Sequence, residues 1–179
     1  MGGGILDWHH EVVIGSPEEG MELLAGVVET REALLLAFRL EKGSWDFYSK
    51  VGEKLGGKTQ VLPRLLDMEE EHMNWIYAEL ARSWTGDLPT LEELKQQISG
   101  EYMEAGIGVN EALLRFEEDF KDDLEAIEAA LEMECKAYDL YKRMGDVVED
   151  SETRKLFQKL AMAERGHIQQ LSSELKHFL

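Results

Sequence analysis

The sequence holds a single cysteine, three prolines and about half as many basic as acidic residues (19 against 37). Each shortage excludes something. A lone Cys135 rules out an internal disulfide and a metal site built from thiolates alone. Three prolines in 179 residues favour long, uninterrupted helices. A formal net charge of −18 argues against nucleic acid and anionic membrane surfaces as partners. No apolar run approaches the roughly 20 residues needed to span a bilayer, so no membrane association is expected. The first residues lack the basic-then-apolar pattern of a secretion signal, which points to a cytoplasmic location. What remains is an ordinary globular mix, 44 % hydrophobic and 31 % charged, in a chain sized for one domain with a full core.

Residues 1–27 carry glycines at 2–4, 15, 20 and 26 together with Ser16-Pro17, and read as an irregular lead-in to a domain over 28–179. A helix is predicted from about Thr30 to Leu55, stopped by Gly56-Gly57. Its inward seam is Leu34, Phe38, Glu41, Trp45 and Tyr48, apolar but for one acid. A second helix, about 60–84, presents Leu62, Leu65, Glu69, His72, Met73, Ile76 and Leu80. Residues 85–119 break the pattern: Gly86-Asp-Leu-Pro89 is a turn, Thr90 a good N-cap, and Gly100, Gly106 and Gly108 interrupt the remainder. This stretch reads as a long crossover holding one or two short helices.

From about Lys121 the first half repeats. Ile127, Leu131, Glu134, Tyr138 and Tyr141 reproduce the first seam at a shift of 93, and Phe157, Leu160, Glu164, His167, Ile168, Leu171 and Leu175 reproduce the second at a shift of 95. A duplicated helical hairpin is the economical explanation. Two hairpins joined by a long connection predict an all-α fold, a four-helix bundle. The connection has to be long, because helices of this size run about 38 Å and the second hairpin must start at the correct end.

Four seam positions are therefore Glu (41, 69, 134 and 164) and two are His (72 and 167). Glu69/His72 and Glu164/His167 are each three residues apart, on one helix face and within reach of a common point. Most of the chain's acids merely solvate helix faces, and Glu174/His177, about 80° off the face of Glu164, belongs with them. Four carboxylates in an apolar seam are different. Unpaired, they cost more than a fold's ~5–15 kcal/mol of net stability. No seam cation is available, since Arg39 lies about 200° from Glu41 around the helix and Arg165 points off the face of Glu164. Two divalent cations would cancel four carboxylates, with neutral imidazoles completing a nitrogen and oxygen shell. That donor set suits iron or manganese, and the constellation is the one found in ferritin-like di-metal bundles.

These residues resemble the rubrerythrin branch of the ferritin-like superfamily, over about residues 28–179. The specific parts are Glu41-Lys-Gly-Ser-Trp-Asp-Phe-Tyr48, Glu69-Glu-Glu-His72, Glu134-Cys-Lys-Ala-Tyr-Asp-Leu-Tyr141 and Glu164-Arg-Gly-His167. The resemblance implies a non-haem di-iron centre of two iron ions held by Glu41, Glu69, His72, Glu134, Glu164 and His167, where manganese or zinc could substitute. It implies that Tyr48 and Tyr141 hydrogen-bond to ligand carboxylates; on physical grounds both could equally be core residues with satisfied hydroxyls. It also implies an oxidoreductase that reduces hydrogen peroxide, or O2, with electrons from an external donor such as a rubredoxin-like protein or reductase. Relatives often form homodimers, and the oligomeric state of this chain stays open.

Two departures from the family stand out. Peroxidase rubrerythrins carry a further ligand Glu three residues from the main one on the third helix, where this chain has Leu131 and Ala137. They also usually carry a rubredoxin domain, which one cysteine forbids. The alternative reading is thus an iron-handling or sensing protein without multiple turnover, and a third is a metal-free interaction bundle. The lead-in, from Gly3-Gly-Ile-Leu-Asp-Trp8 through Gly15-Ser-Pro-Glu-Glu-Gly20-Met, is similar to the end of a rhodanese domain and its linker in rhodanese–rubrerythrin fusions. A generic glycine-rich terminus is the equal alternative, and His9 and His10 are expected at the surface. Cys135 points about 100° from Glu134 and reads as core or interface filler. Asp46 and Asp139 correspond across the duplication and read as solvated, with an outer role orienting a histidine as the other option.

Overall fold

A computed structural model describes residues 29–55, 61–103, 106–119 and 123–178. The lead-in over 1–27, with its rhodanese-like stretch and His9 and His10, and the Gly56-Gly57 stop lie outside the described residues. Among the described residues the regular elements are α1 (Thr30–Leu55), α2 (Val61–Ser83), α3 (Leu91–Gln97), α4 (Val109–Asp119), α5 (Asp123–Val147) and α6 (Ser151–Leu175). The fold is all-α, as the periodicity predicts, and no described helix is long and apolar enough to cross a membrane.

α1 packs along α2 and α5 along α6, giving the two hairpins; α2 then meets both helices of the second hairpin. The core divides into two apolar clusters. One is formed by Leu34, Phe38, Ile76, Leu80, Tyr141, Phe157 and Leu160, the other by Tyr48, Val51, Leu62, Leu65, Ile127, Leu131, Leu171 and Leu175. Along every long helix the seam Glu and His residues fall between the positions that feed these two clusters. The acids thus form a polar layer across the middle of the bundle, with apolar packing above and below. Trp45 and Tyr138, expected inward, are only partly buried at the rim of the first cluster. Their exposed faces carry the ammonium groups of Lys42 and Lys142, 5.3 and 5.2 Å from the ring centroids.

The crossover climbs the bundle beside α1. Leu94 of α3 joins the first cluster, Met103 and Val109 the second, and α4 packs on α1. Thr90 caps α3 as predicted: its side chain accepts from the Glu93 N–H at 3.3 Å while Glu93 accepts from the Thr90 N–H at 2.8 Å. Midway, backbone lies directly on backbone. A Cβ at Gly43 would fall 2.0 Å from the Tyr102 carbonyl oxygen, and one at Gly100 would fall 2.7 Å from the Gly43 Cα. A bridge pairs Tyr102 with Gly108, and Gly106 turns the loop with φ of 72°. At the other end of the second hairpin, Asp150 caps α6 by accepting from the Thr153 N–H at 2.8 Å.

Candidate metal centre

Each long helix brings its seam polar residue to the middle layer. Glu41, Glu69, His72, Glu134 and Glu164 are all buried, and His167 is nearly so, with 15 % of its side chain exposed. Helical spacing does the positioning: Glu69/His72 and Glu164/His167 stand one turn apart on α2 and α6, while Glu41 and Glu134 come singly from α1 and α5. Both imidazoles turn Nδ1 inward. His72 Nδ1 lies 3.1 Å from Glu41 Oε2 and 3.1 Å from Glu164 Oε1. His167 Nδ1 lies 3.2 Å from Glu134 Oε2 and 2.9 Å from Glu164 Oε2. The two rings stack, with centroids 5.1 Å apart and planes 18° apart.

This arrangement forms two groups of donor atoms that could each hold a metal ion: Glu41, Glu69 and His72, and His72, Glu164 and His167, with the ligand atoms of each within 4.8 Å of one another. His72 is common to both, and Glu134 joins the second through its contact with His167. All six residues singled out from the sequence are therefore brought together. The tyrosines cross between the hairpins. The Tyr48 hydroxyl of α1 donates to Glu134 Oε1 of α5 at 3.4 Å, and the Tyr141 hydroxyl of α5 donates to Glu41 Oε1 of α1. Each tyrosine serves the carboxylate of the opposite repeat.

Electrostatics shows what such a cage does without cations. Burial pushes Glu134 up, the Glu164 charge adds to it, and its pKa rises to about 8 despite the hydrogen bond from His167. Burial lowers His167, but its bonds to Glu134 and Glu164 outweigh this and raise it to about 9. Burial likewise opposes protonation of His72, and the Glu41 and Glu164 charges still raise it well above the ordinary histidine value. Burial works to raise Glu164 as well, yet the His72 charge and the bonds from both histidines hold it below the ordinary range. Protons thus gather where cations would otherwise balance the acids. Buried oxygen and nitrogen donors without thiolate suit iron.

The remaining sequence candidates separate cleanly. Asp46 is bound by Lys42 Nζ at 2.5 Å and Asp139 lies 3.8 Å from Arg143, so both face cations of their own helix. Arg39 and Arg165 are exposed, Glu174 pairs with Arg64, and His177 is exposed at the chain end. Leu131 and Ala137 are buried in the apolar clusters flanking Glu134. Cys135 is partly buried, and its thiol is pushed up to about 12 by burial and then by Glu134, which keeps it inert.

The sequence matches the rubrerythrin family model over residues 32–175, a span that takes in both hairpins and all six converging side chains. The chain belongs to the rubrerythrin family. No curated protein and no solved structure matches it. Rubrerythrins typically bind iron, and the ferritin-like bundle of this one carries the acid and histidine clusters to do so. One neighbour of the centre in this rubrerythrin has no counterpart among the residues picked from the sequence. Trp75 packs its ring 5.4 Å from that of His72. Its only sequence signal is a position three residues after His72, one turn along the same helix.

Proposed function

We propose that Glu41, Glu69, His72, Glu134, Glu164 and His167 hold two iron ions, and that the pair reduces hydrogen peroxide, or O2, with electrons from an external one-electron donor in the cytoplasm. The observation that carries this reading is the pair of donor groups sharing His72 within a layer sealed above and below by apolar side chains. Bound iron supplies the redox chemistry: one electron from each ferrous ion, with two protons, converts hydrogen peroxide to two waters. The chain's own part is to hold and shield. Tyr48 and Tyr141 fix the carboxylates of Glu134 and Glu41, and the carboxylates fix the histidine rings. Leu131, Phe38 and Leu160 keep bulk water out of the layer. His167, the most exposed of the six donors, marks the side from which an oxidant reaches the centre.

One observation favours a second reading. With Leu131 and Ala137 buried beside Glu134, no further carboxylate stands there to receive an iron that shifts between ligands. Such a centre suits iron handling or sensing with a single oxidation event. Anaerobic loading with ferrous ion, followed by stopped-flow mixing with peroxide, separates these readings. The peroxidase reading expects rapid stoichiometric oxidation and, with a reductant present, repeated turnover. Consumption no faster than in a Glu69→Ala/Glu164→Ala variant would falsify it, and a single turnover with excess reductant would favour iron handling.

A further inference from the structure

Trp75 lies one turn beyond His72 on α2, partly buried at the rim of the first core cluster. Its ring and that of His72 are 5.4 Å apart between centroids and tilted by 39°. His72 in turn stacks on His167 at 5.1 Å. Three conjugated rings therefore run from the protein rim to both donor groups; the other buried ring pairs among the described residues, Phe47 with Tyr48 and Tyr141 with Phe157, include no donor histidine. The indole also carries a charge at the surface: Lys159 Nζ of α6 sits 3.3 Å from its centroid. Lys159 is exposed and makes no ion pair among the described residues. The other described tryptophans are differently placed, Trp84 beneath Arg31 at 3.7 Å and Trp45 beneath Lys42. Neither touches a donor histidine among the described residues.

A tryptophan needed only to fill the core would gain most from full burial among aliphatic neighbours. This one is only partly buried, with its ring tilted against a histidine of the centre. We propose that Trp75 is the port through which single electrons reach the metal pair, passing from a one-electron carrier docked over Trp75 and Lys159 through the indole and the His72 imidazole. The inference rests on the di-iron reading above. Each passage oxidises the carrier by one electron and reduces one ferric ion to ferrous, so two passages restore the pair. No bond forms or breaks at Trp75, and the indole N–H keeps its proton. The ring acts as a bridge and stores no charge.

The test uses the full chain, loaded with iron, oxidised with peroxide and mixed in a stopped-flow instrument with reduced methyl viologen, a cationic one-electron donor. Trp75→Leu should slow reduction by roughly tenfold or more, with bound iron and the peroxide step changing far less. Trp75→Phe should fall between, and Trp84→Phe should match the unsubstituted chain. Lys159→Gln removes a like charge from the docking point, so reduction by the cationic viologen should speed up, and the gain should vanish in ~1 M salt, where screening acts within about 3 Å. A second readout needs no turnover. The emission of Trp75, taken as unsubstituted chain minus Trp75→Phe, should be quenched when iron is loaded and kept when zinc, which has no redox chemistry, is loaded. Equal reduction rates in iron-replete Trp75→Leu, or no effect of Lys159→Gln, would overturn the port and leave the di-iron reading intact. If Trp75→Leu does not load iron, Lys159→Gln and the emission decide. Failure of every variant and of the unsubstituted chain to bind iron would overturn both.

Discussion

Glu134 keeps a proton up to about pH 8 because burial and then the Glu164 charge oppose its ionisation, against 4.5 for an ordinary glutamate. His167 keeps one up to about 9, against 6.5, and His72 is shifted the same way. In each case the folded chain binds the proton more tightly than the unfolded chain, so stability falls as pH rises through the window between the two values. Glu164 shifts downward, and its opposite linkage acts only below 4.5. Metal-free protein should therefore lose urea resistance steadily from about pH 5 to about pH 9, and metal-loaded protein should not, since cations have replaced the protons. Midpoints of urea unfolding across that window measure it, and a flat or rising profile without metal would contradict the burial of these groups. At this scale the convergence of the six polar side chains was legible from sequence because period and composition clash: a charged residue at a core position of a 3.6-residue repeat needs a reason. Trp75 was not legible. An aromatic at the edge of a seam looks the same whether it packs on a leucine or on a histidine.

At the scale of elements, two glycines on the long helices should respond in opposite ways to alanine. Gly43 lies under the crossover, where a Cβ would meet the Tyr102 carbonyl oxygen at 2.0 Å. Gly166 on α6 is exposed, with nothing within 4 Å of an added Cβ. Alanine in a helix interior is worth about 1 kcal/mol over glycine. Gly166→Ala should therefore raise stability by roughly 0.5–1 kcal/mol, while Gly43→Ala should lower it by about 1–3 kcal/mol because the loop must lift off the helix. Denaturant unfolding of the two variants side by side decides it; a stabilising Gly43→Ala would mean that the crossover is not seated on α1. The first two long helices, and the start of the third, were readable within two residues from seam spacing, and the start of α3 from the Thr90 cap. Gly43 was not readable, because its reason lies in a loop more than fifty residues further on in the sequence, and helix propensity alone would mark it as a weak point.

For the whole molecule, metal and fold should be linked. A cation that binds only the folded chain adds about 2.7 kcal/mol at a free concentration a hundred times its dissociation constant. In a chain of this size that raises Tm by roughly 5–10 °C. Iron or manganese should produce such a rise by calorimetry, and the Glu69→Ala/Glu164→Ala variant should show none. An equal rise in both would mean that the ions act at the acidic surface and not at the buried layer. The bundle and its duplication were legible because both seams repeat at nearly constant shifts. The path of the crossover was not, since α4 packs on α1 while Lys95 of α3 pairs with Glu70 of α2, contacts that no local pattern encodes.

The crossed tyrosines carry a consequence for the chain as an assembly. Each hairpin contributes one single acid, one acid–imidazole pair and one phenol, and each phenol reaches the acid of the other hairpin. Each histidine meets acids of its own hairpin, but both phenol bonds and the His72–Glu164 contact exist only when the two halves are together. Severed at the crossover, the two pieces would be strangers to folding until they met, and a shared ion would be what tells them that they had found the right mate.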